Sequence, residues 1–147
     1  MKTFNKTFNL RTKSLFDIND ITDNVINLLK ESGIKDGLVN VQTLHTTAMI
    51  IFNENEPLLL EDIKKNLEKT APSNHEYNHD NFDIRTVNMC NDECQNGHSH
   101  CKAIHLSPNV TLNLIKGELQ LGPWQRVLFI ELDRSRDRRY QIQIIGI

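Results

Sequence analysis

Val110, Leu112 and Leu114 fall on one parity of the sequence, and Lys116-Gly117 follows directly. A period of two places the three side chains on one face of a strand, and a two-residue turn bearing Gly sends the chain back alongside it. Leu119 and Leu121 continue after the turn, and Val127 to Leu132 has the composition of a buried strand. Asp133 to Arg138 is a polar run that reads as a turn, and Tyr140 to Ile145 reads as the closing strand. The final third is therefore expected to be antiparallel sheet, and a sheet needs something packed on its apolar face.

The first half supplies it. Phe4, Phe8 and Leu10 share a parity within an opening strand over residues 3–10. From Asp20 the spacing becomes helical, with Ile21, Val25, Leu28 and Leu29, and Gly33 can end the helix in a left-handed conformation. Residues 37–44 alternate as a strand, and Thr47 to Phe52 is β-branched and apolar, so it reads as the next. Pro57 can open a second helix, since its missing N–H is not needed in the first turn. Leu59, Leu60, Ile63 and Leu67 give that helix an apolar stripe ending near Thr70. Residues 71–97 have no period and are rich in Asn, Asp and His, as expected for a functional or disordered loop. Residues 98–105 read as a short helix. The expected fold class is α+β: one domain over residues 1–147, a mostly antiparallel bent sheet or sandwich, two main helices and a short third.

No apolar run approaches the roughly 18–20 residues that span a bilayer. The start, Met1-Lys2-Thr3-Phe4-Asn5-Lys6, has no apolar stretch after its charge, so no secretory signal is expected. Cys90, Cys94 and Cys101 are odd in number and lack the spacing of a disulfide framework, which favours a reducing cytoplasm. With 17 Lys+Arg against 19 Asp+Glu, the chain has no surplus of positive charge for tracking nucleic-acid phosphates.

Four short motifs carry chemistry. His45-Thr46-Thr47-Ala48, followed by Asn53-Glu54-Asn55, joins an imidazole to two hydroxyls that can orient it or bind a phosphate oxygen. Tyr77-Asn78-His79-Asp80 sets an acid beside an imidazole, either to fix its tautomer or to act as a general base. Asn96-Gly97-His98-Ser99-His100-Cys101 presents two imidazoles that point the same way if the segment is extended and diverge by about 200° if it is helical. Gly122-Pro123-Trp124-Gln125-Arg126 offers an aromatic wall and polar groups for a ligand. In isolation, a hydrogen-bonded strand-edge His explains the first motif better and a Trp capping the core explains the fourth better, a polar loop explains the second equally well, and Cys101 in the third also fits a small core residue. Three His-bearing segments in one small chain, with carboxylates nearby, would match an open metal site if they converge.

Taken in order, His45-Thr46-Thr47-Ala48, Asn53-Glu54-Asn55, Tyr77-x-His79-Asp80, His98-Ser99-His100 and Leu121-Gly122-Pro123-Trp124-Gln125 resemble the YjbQ family, the secondary thiamine-phosphate synthases. The resemblance runs from about residue 3 to residue 147. It implies a compact α+β domain with a bent antiparallel sheet, assembled as a homotrimer, and a His-lined site that holds a metal ion or an anion. By motif, His45, His79 and His100 fall on the family's three histidines, which makes them the implied ligands of a divalent metal, with zinc the expected ion. Glu54 and Asp80 fall on its acidic positions, as candidate catalytic groups. Thr46, Thr47, Trp124, Gln125 and Arg126 are the candidates for binding substrate and phosphate. His98 lies where members vary. Pro123 stands where the family more often has Thr, and Cys90 and Cys94 sit in a variable insertion.

The implied reaction joins a hydroxymethylpyrimidine diphosphate to a thiazole phosphate and releases diphosphate, as the main reaction or as a side activity. The leaving diphosphate needs positive charge, from a metal, Arg126 or Lys102, and the pyrimidine needs an aromatic wall such as Trp124. The chain has no Gly-rich phosphate loop. Two alternatives stand beside this one. The first is a metal-dependent phosphate-ester hydrolase using Glu54 or Asp80 as general base. The second is a non-enzymatic metal- or ligand-binding module. The expected partner is a phosphorylated small molecule, with no nucleic acid and no membrane.

Overall fold

The structure is a computed structural model that describes residues 1–147. Eight strands form two antiparallel sheets. The larger has the order β1 (Lys2–Arg11), β8 (Asp137–Gly146), β3 (Gly37–Thr43), β5 (Asn109–Ile115), β6 (Glu118–Leu119). The smaller has the order β2 (Ile18–Asp20), β7 (Arg126–Glu131), β4 (Ala48–Asn53). Three α-helices accompany them: α1 (Thr22–Ser32), α2 (Pro57–Thr70) and α3 (Gly97–Ala103). A 3-10 turn covers Asn78–Asp80. The α+β class, the curled antiparallel sheets and the three helices agree with the expectation from sequence.

The local reasons are those of the sequence pattern. Gly33 ends α1 at φ 64°, where a side chain would be strained. Pro57 opens α2, and the Glu56 carboxylate caps it by accepting Leu58 N at 2.9 Å and Leu59 N at 2.8 Å. Lys116 and Gly117 both have positive φ, 53° and 81°, the geometry of a hairpin turn whose twist matches its strands.

The main core lies between the sheets and under α1, joining Val25 and Leu28 to Val39, Val41, Ile50, Phe129, Ile142 and Ile144. A second, smaller core lies on the other side of the smaller sheet, where Leu67 of α2 and Ala103 of α3 meet Met49, Ile130 and Leu132. The smaller sheet is thus covered on both faces, so β7 reads as a run rather than an alternation. Three details differ from the sequence pattern. β8 begins at Asp137, so the polar turn is shorter than expected. β2 has only three residues, too few to show a period. The strand after the Lys116-Gly117 turn is two residues long. No helix is long and apolar enough to cross a membrane.

Candidate functional site

Residues 71–97 are pinned rather than loose. Lys102 of α3 is wholly buried, and its ammonium meets Ala71 O at 2.6 Å, Ser73 Oγ at 3.2 Å, His98 Nδ1 at 3.1 Å and Glu68 Oε2 at 3.1 Å. A buried charge needs such partners. Because an ammonium only donates, His98 accepts at Nδ1 and carries its proton on Nε2. Tyr77 Oη donates to Pro72 O at 2.8 Å. Farther along, Arg85 donates to His79 O at 3.3 Å, Glu93 Oε1 at 3.2 Å and Asn88 O at 2.9 Å.

Asp80 closes the loop onto α3. Its Oδ1 accepts Asn96 N at 2.9 Å and Gly97 N at 2.8 Å, satisfying donors that a helix start leaves open. A Cβ on Gly97 would stand 2.5 Å from Tyr77 Cβ, so only glycine lets the helix start this close to the loop. The result places His79 against His100, with ring centroids 4.6 Å apart and planes at 60°. Burial, and then the neighbouring His79 and Arg85, hold His100 below the ordinary imidazole value. His79 Nε2 is buried with no hydrogen-bond partner, and so is Asn96 Oδ1. A cavity of about 640 Å³ opens beside this segment, lined by Tyr77, Asn78, Asp80 and Gln95 among others. That is within the usual size for a small-molecule site. Since 97–103 is helical, His98 and His100 diverge, and His98 faces Lys102 instead of the pair.

His45, Thr46 and Thr47 lie elsewhere, next to the β7–β8 turn. His45 Nε2 accepts Arg139 N at 2.7 Å. Thr47 is buried, and its Oγ1 accepts from Arg138 at 2.9 Å. Arg138 forms a buried, two-bond ion pair with Glu131, which is fully enclosed. Thr12 Oγ1 donates to the same carboxylate at 2.8 Å. Asp133 follows: its N–H donates to Glu131 Oε1 at 2.9 Å, and its carboxylate accepts from the Arg136 guanidinium at 2.8 Å and Asn96 Nδ2 at 3.3 Å. Burial pushes Asp133 up, but Arg136, Asn96 and Arg134 outweigh it and hold the carboxyl below its ordinary value. This chain of charges links the His45 segment to the start of α3. None of its acids or arginines stood out in sequence. The signal was Glu131 inside the apolar run Val127–Leu132, an acid where a buried strand should have none.

Glu54, Trp124, Gln125 and Arg126 form a third group at the opposite end of the β4–β7 pair. β4 pairs Ala48 with Glu131 at one end and Asn53 with Arg126 at the other, about 17 Å apart along the strand. Glu54, Trp124 and Gln125 line a shallow cavity of about 340 Å³. Trp124 is 71% exposed and does not cap the core. Gln125 Oε1 is taken by Gly122 N at 2.8 Å. Arg126 is held by Asp20 at 2.6 Å and Asp23 at 3.3 Å. Arg126 and Lys102, the two side chains expected to receive a diphosphate, therefore both have acidic partners already.

The site residues named from sequence thus fall into three places. Two of the three expected ligands, His79 and His100, come together, with Asp80 holding their frame. His45 does not join them: no group of three or more His, Cys, Asp or Glu is placed to hold a metal ion within one chain. His75 and His105 are exposed, and the three cysteines are unpaired.

The family model described as "UPF0047 protein YjbQ-like" matches residues 6–147. A UPF0047 protein of Methanothermobacter thermautotrophicus is 36% identical over 99% of this chain and 94% of its own length. Another from Archaeoglobus fulgidus is 38% identical over 92% of this chain and 97% of its own. Among solved structures, a YbjQ-like protein of unknown function from Sulfolobus solfataricus superposes with a TM-score of 0.88 at 29% identity, covering 99% of both chains. A YjbQ/UPF0047 protein from Clostridium acetobutylicum superposes with a TM-score of 0.82 at 33% identity, over 95% of this chain and 99% of its own. A match of this length, with the same fold in its relatives, means that the chain belongs to the YjbQ-like UPF0047 family.

Proposed function

We propose that this chain is an enzyme acting on a phosphorylated small molecule in the cytoplasm, with thiamine-phosphate synthesis as its transfer reaction and the His79–His100 pair as its chemical centre. The observation that carries the proposal is the buried, partnerless His79 Nε2 against a partly buried His100. A polar atom enclosed without a partner costs about 1–3 kcal/mol, and binding a ligand atom there recovers it. The family resemblance supplies the substrate class.

In the reaction, the thiazole nitrogen forms a bond to the pyrimidine methylene carbon as that carbon's bond to the diphosphate oxygen breaks. The bonding pair leaves with the diphosphate. Ring N–H groups of His79 and His100 hold the departing oxygens, and the cavity beside Tyr77 holds the rings. Asp80 acts as a positioning residue, since its Oδ1 is occupied by two backbone N–H groups. A divalent ion such as zinc would find two nitrogens here and no third protein ligand within one chain. The working unit in this proposal is a homotrimer, checked by analytical ultracentrifugation.

The purified protein is incubated with both substrates, with chelator and separately with added zinc, and thiamine phosphate is quantified. Turnover that falls about 100-fold or more in His79→Gln and His100→Gln supports the assignment. Absence of product under every condition removes it.

A further inference from the structure

Every helix lies on one side of the larger sheet: α1 packs into the main core, and α2 and α3 cover the far side of the smaller sheet. The other side of the larger sheet is bare. Burial alternates along β3, β5 and β8, so Val39, Leu112 and Ile142 point inward and their neighbours in sequence point out. The strand register sets these outward side chains in rows. Asn5, Gln143, Asn40 and Thr111 form one row across four strands. The row beside it, from Thr7 to Asn109, again has one hydroxyl and three amides. Neither row carries a charge, in a chain of which 24% of residues are charged. Charge returns only at the margins, as Arg11, Asp137 and Arg139 at one end and Glu118 on the edge strand β6. Asp36, just before β3, is turned onto Lys116 N at 3.0 Å.

At the end away from Arg139 the face becomes apolar. Leu38 and Ile145 are directly paired, and they are 50% and 39% exposed. Ile115 of β5 and Ile147, two residues beyond Ile145, are 47% and 72% exposed. Large aliphatic side chains open to water and bordered by uncharged polar rows have the composition of a protein contact.

The chemistry of the face selects its partner. Nucleic acid would need a basic surface with aromatic side chains to stack bases, and these rows have neither. A bilayer surface would need Lys or Arg interleaved with the apolar side chains. An amide both donates and accepts, so a face of amides is complementary to another of its own kind and sets no like charges against each other. Asn40 Oδ1 accepts Asn109 Nδ2 at 3.0 Å, but the side chains of Asn5, Gln143 and Asn113 make no hydrogen bond within the chain.

We propose that the outer face of the larger sheet is where copies of this chain meet, with Leu38, Ile115, Ile145 and Ile147 as the apolar part of the contact and the amide rows as its hydrogen-bonding part. This rests on the assembly proposed above and not on the reaction.

Analytical ultracentrifugation of the wild type, Leu38→Lys, Gln143→Glu and Leu58→Lys tests it. Leu58 lies on α2, off this face, and is 74% exposed, so it controls for added charge as such. Gln143→Glu keeps the shape of the side chain and guards against loss of folding in Leu38→Lys. The wild type and Leu58→Lys should assemble alike. The concentration at which half the chains are assembled should rise about tenfold or more in Leu38→Lys and in Gln143→Glu, because each buries an unpaired charge in the contact. A rise below about twofold in Gln143→Glu, or an equal rise in Leu58→Lys, overturns the face and leaves the homotrimer standing. A monomeric wild type overturns both. Thiamine-phosphate synthesis is read separately, so its absence counts against the proposed reaction alone.

Discussion

His45 and His79 are both half-buried, and the fold treats them oppositely. The Nε2 of His45 takes a backbone N–H where a strand ladder runs out, whereas the Nε2 of His79 is enclosed with nothing to bond. One nitrogen contributes to stability, and the other is left unsatisfied at a cost in stability. A histidine in a motif therefore does not declare its chemistry. The neighbouring backbone decides which nitrogen is free and whether it donates or accepts.

The largest expected effect removes the frame under both. Glu131→Ala would leave Arg138 buried without its partner and should cost about 3–5 kcal/mol, read as a shift in the urea midpoint. Both histidine segments should loosen together, since Thr47 hangs on Arg138 and Asn96 on Asp133.

Asp80→Ala should act on one side only. Losing the two bonds to Asn96 N and Gly97 N should cost about 2 kcal/mol. NMR should show His79 and His100 displaced and His45 unmoved.

The contrast is sharpest in a paired substitution. His45→Leu orphans the Arg139 N–H and should cost about 1–3 kcal/mol, whereas His79→Leu removes an unsatisfied atom and should lie within about 0.5 kcal/mol of the wild type. Equal costs would mean that both nitrogens have partners.

The smallest effect is on pH dependence. His45 and His100 both lie below the ordinary imidazole value of 6.5 when folded, so the unfolded chain binds protons first as pH falls. Stability is then complete above 6.5 and declines as pH drops below it toward the folded-state values. Urea midpoints across that range should fall in the wild type, and the slope should flatten in His45→Leu.

Much of the fold could be read in advance because its devices are local. The alternation of Val110, Leu112 and Leu114, the Lys116-Gly117 turn, Pro57 and Gly33 each act within a few residues. The site was less accessible because it is made by distance. His79 and His100 are separated by a segment without any period, and they meet only because Asp80 reaches Gly97. The run from Asp133 to Arg138 looked like a solvated turn, yet Arg138 is buried and belongs to β8, neutralised by an acid seven residues back. Arg126 looked available for phosphate because Asp20 is 106 residues away in the chain.

β1 and β8 lie side by side, with Lys2 paired to Gly146 and Arg11 to Asp137. The first strand of the chain thus has its partner in the eighth. Until β8 docks, β1 has only an open edge, and β3 lacks the neighbour that separates it from β1. Closing a loop of nearly the whole chain slows folding and leaves apolar strands open to mispairing in the meantime. In this chain β8 is the strand that joins β1 to the rest of the larger sheet, so a substitution that breaks β8 would detach β1 as well.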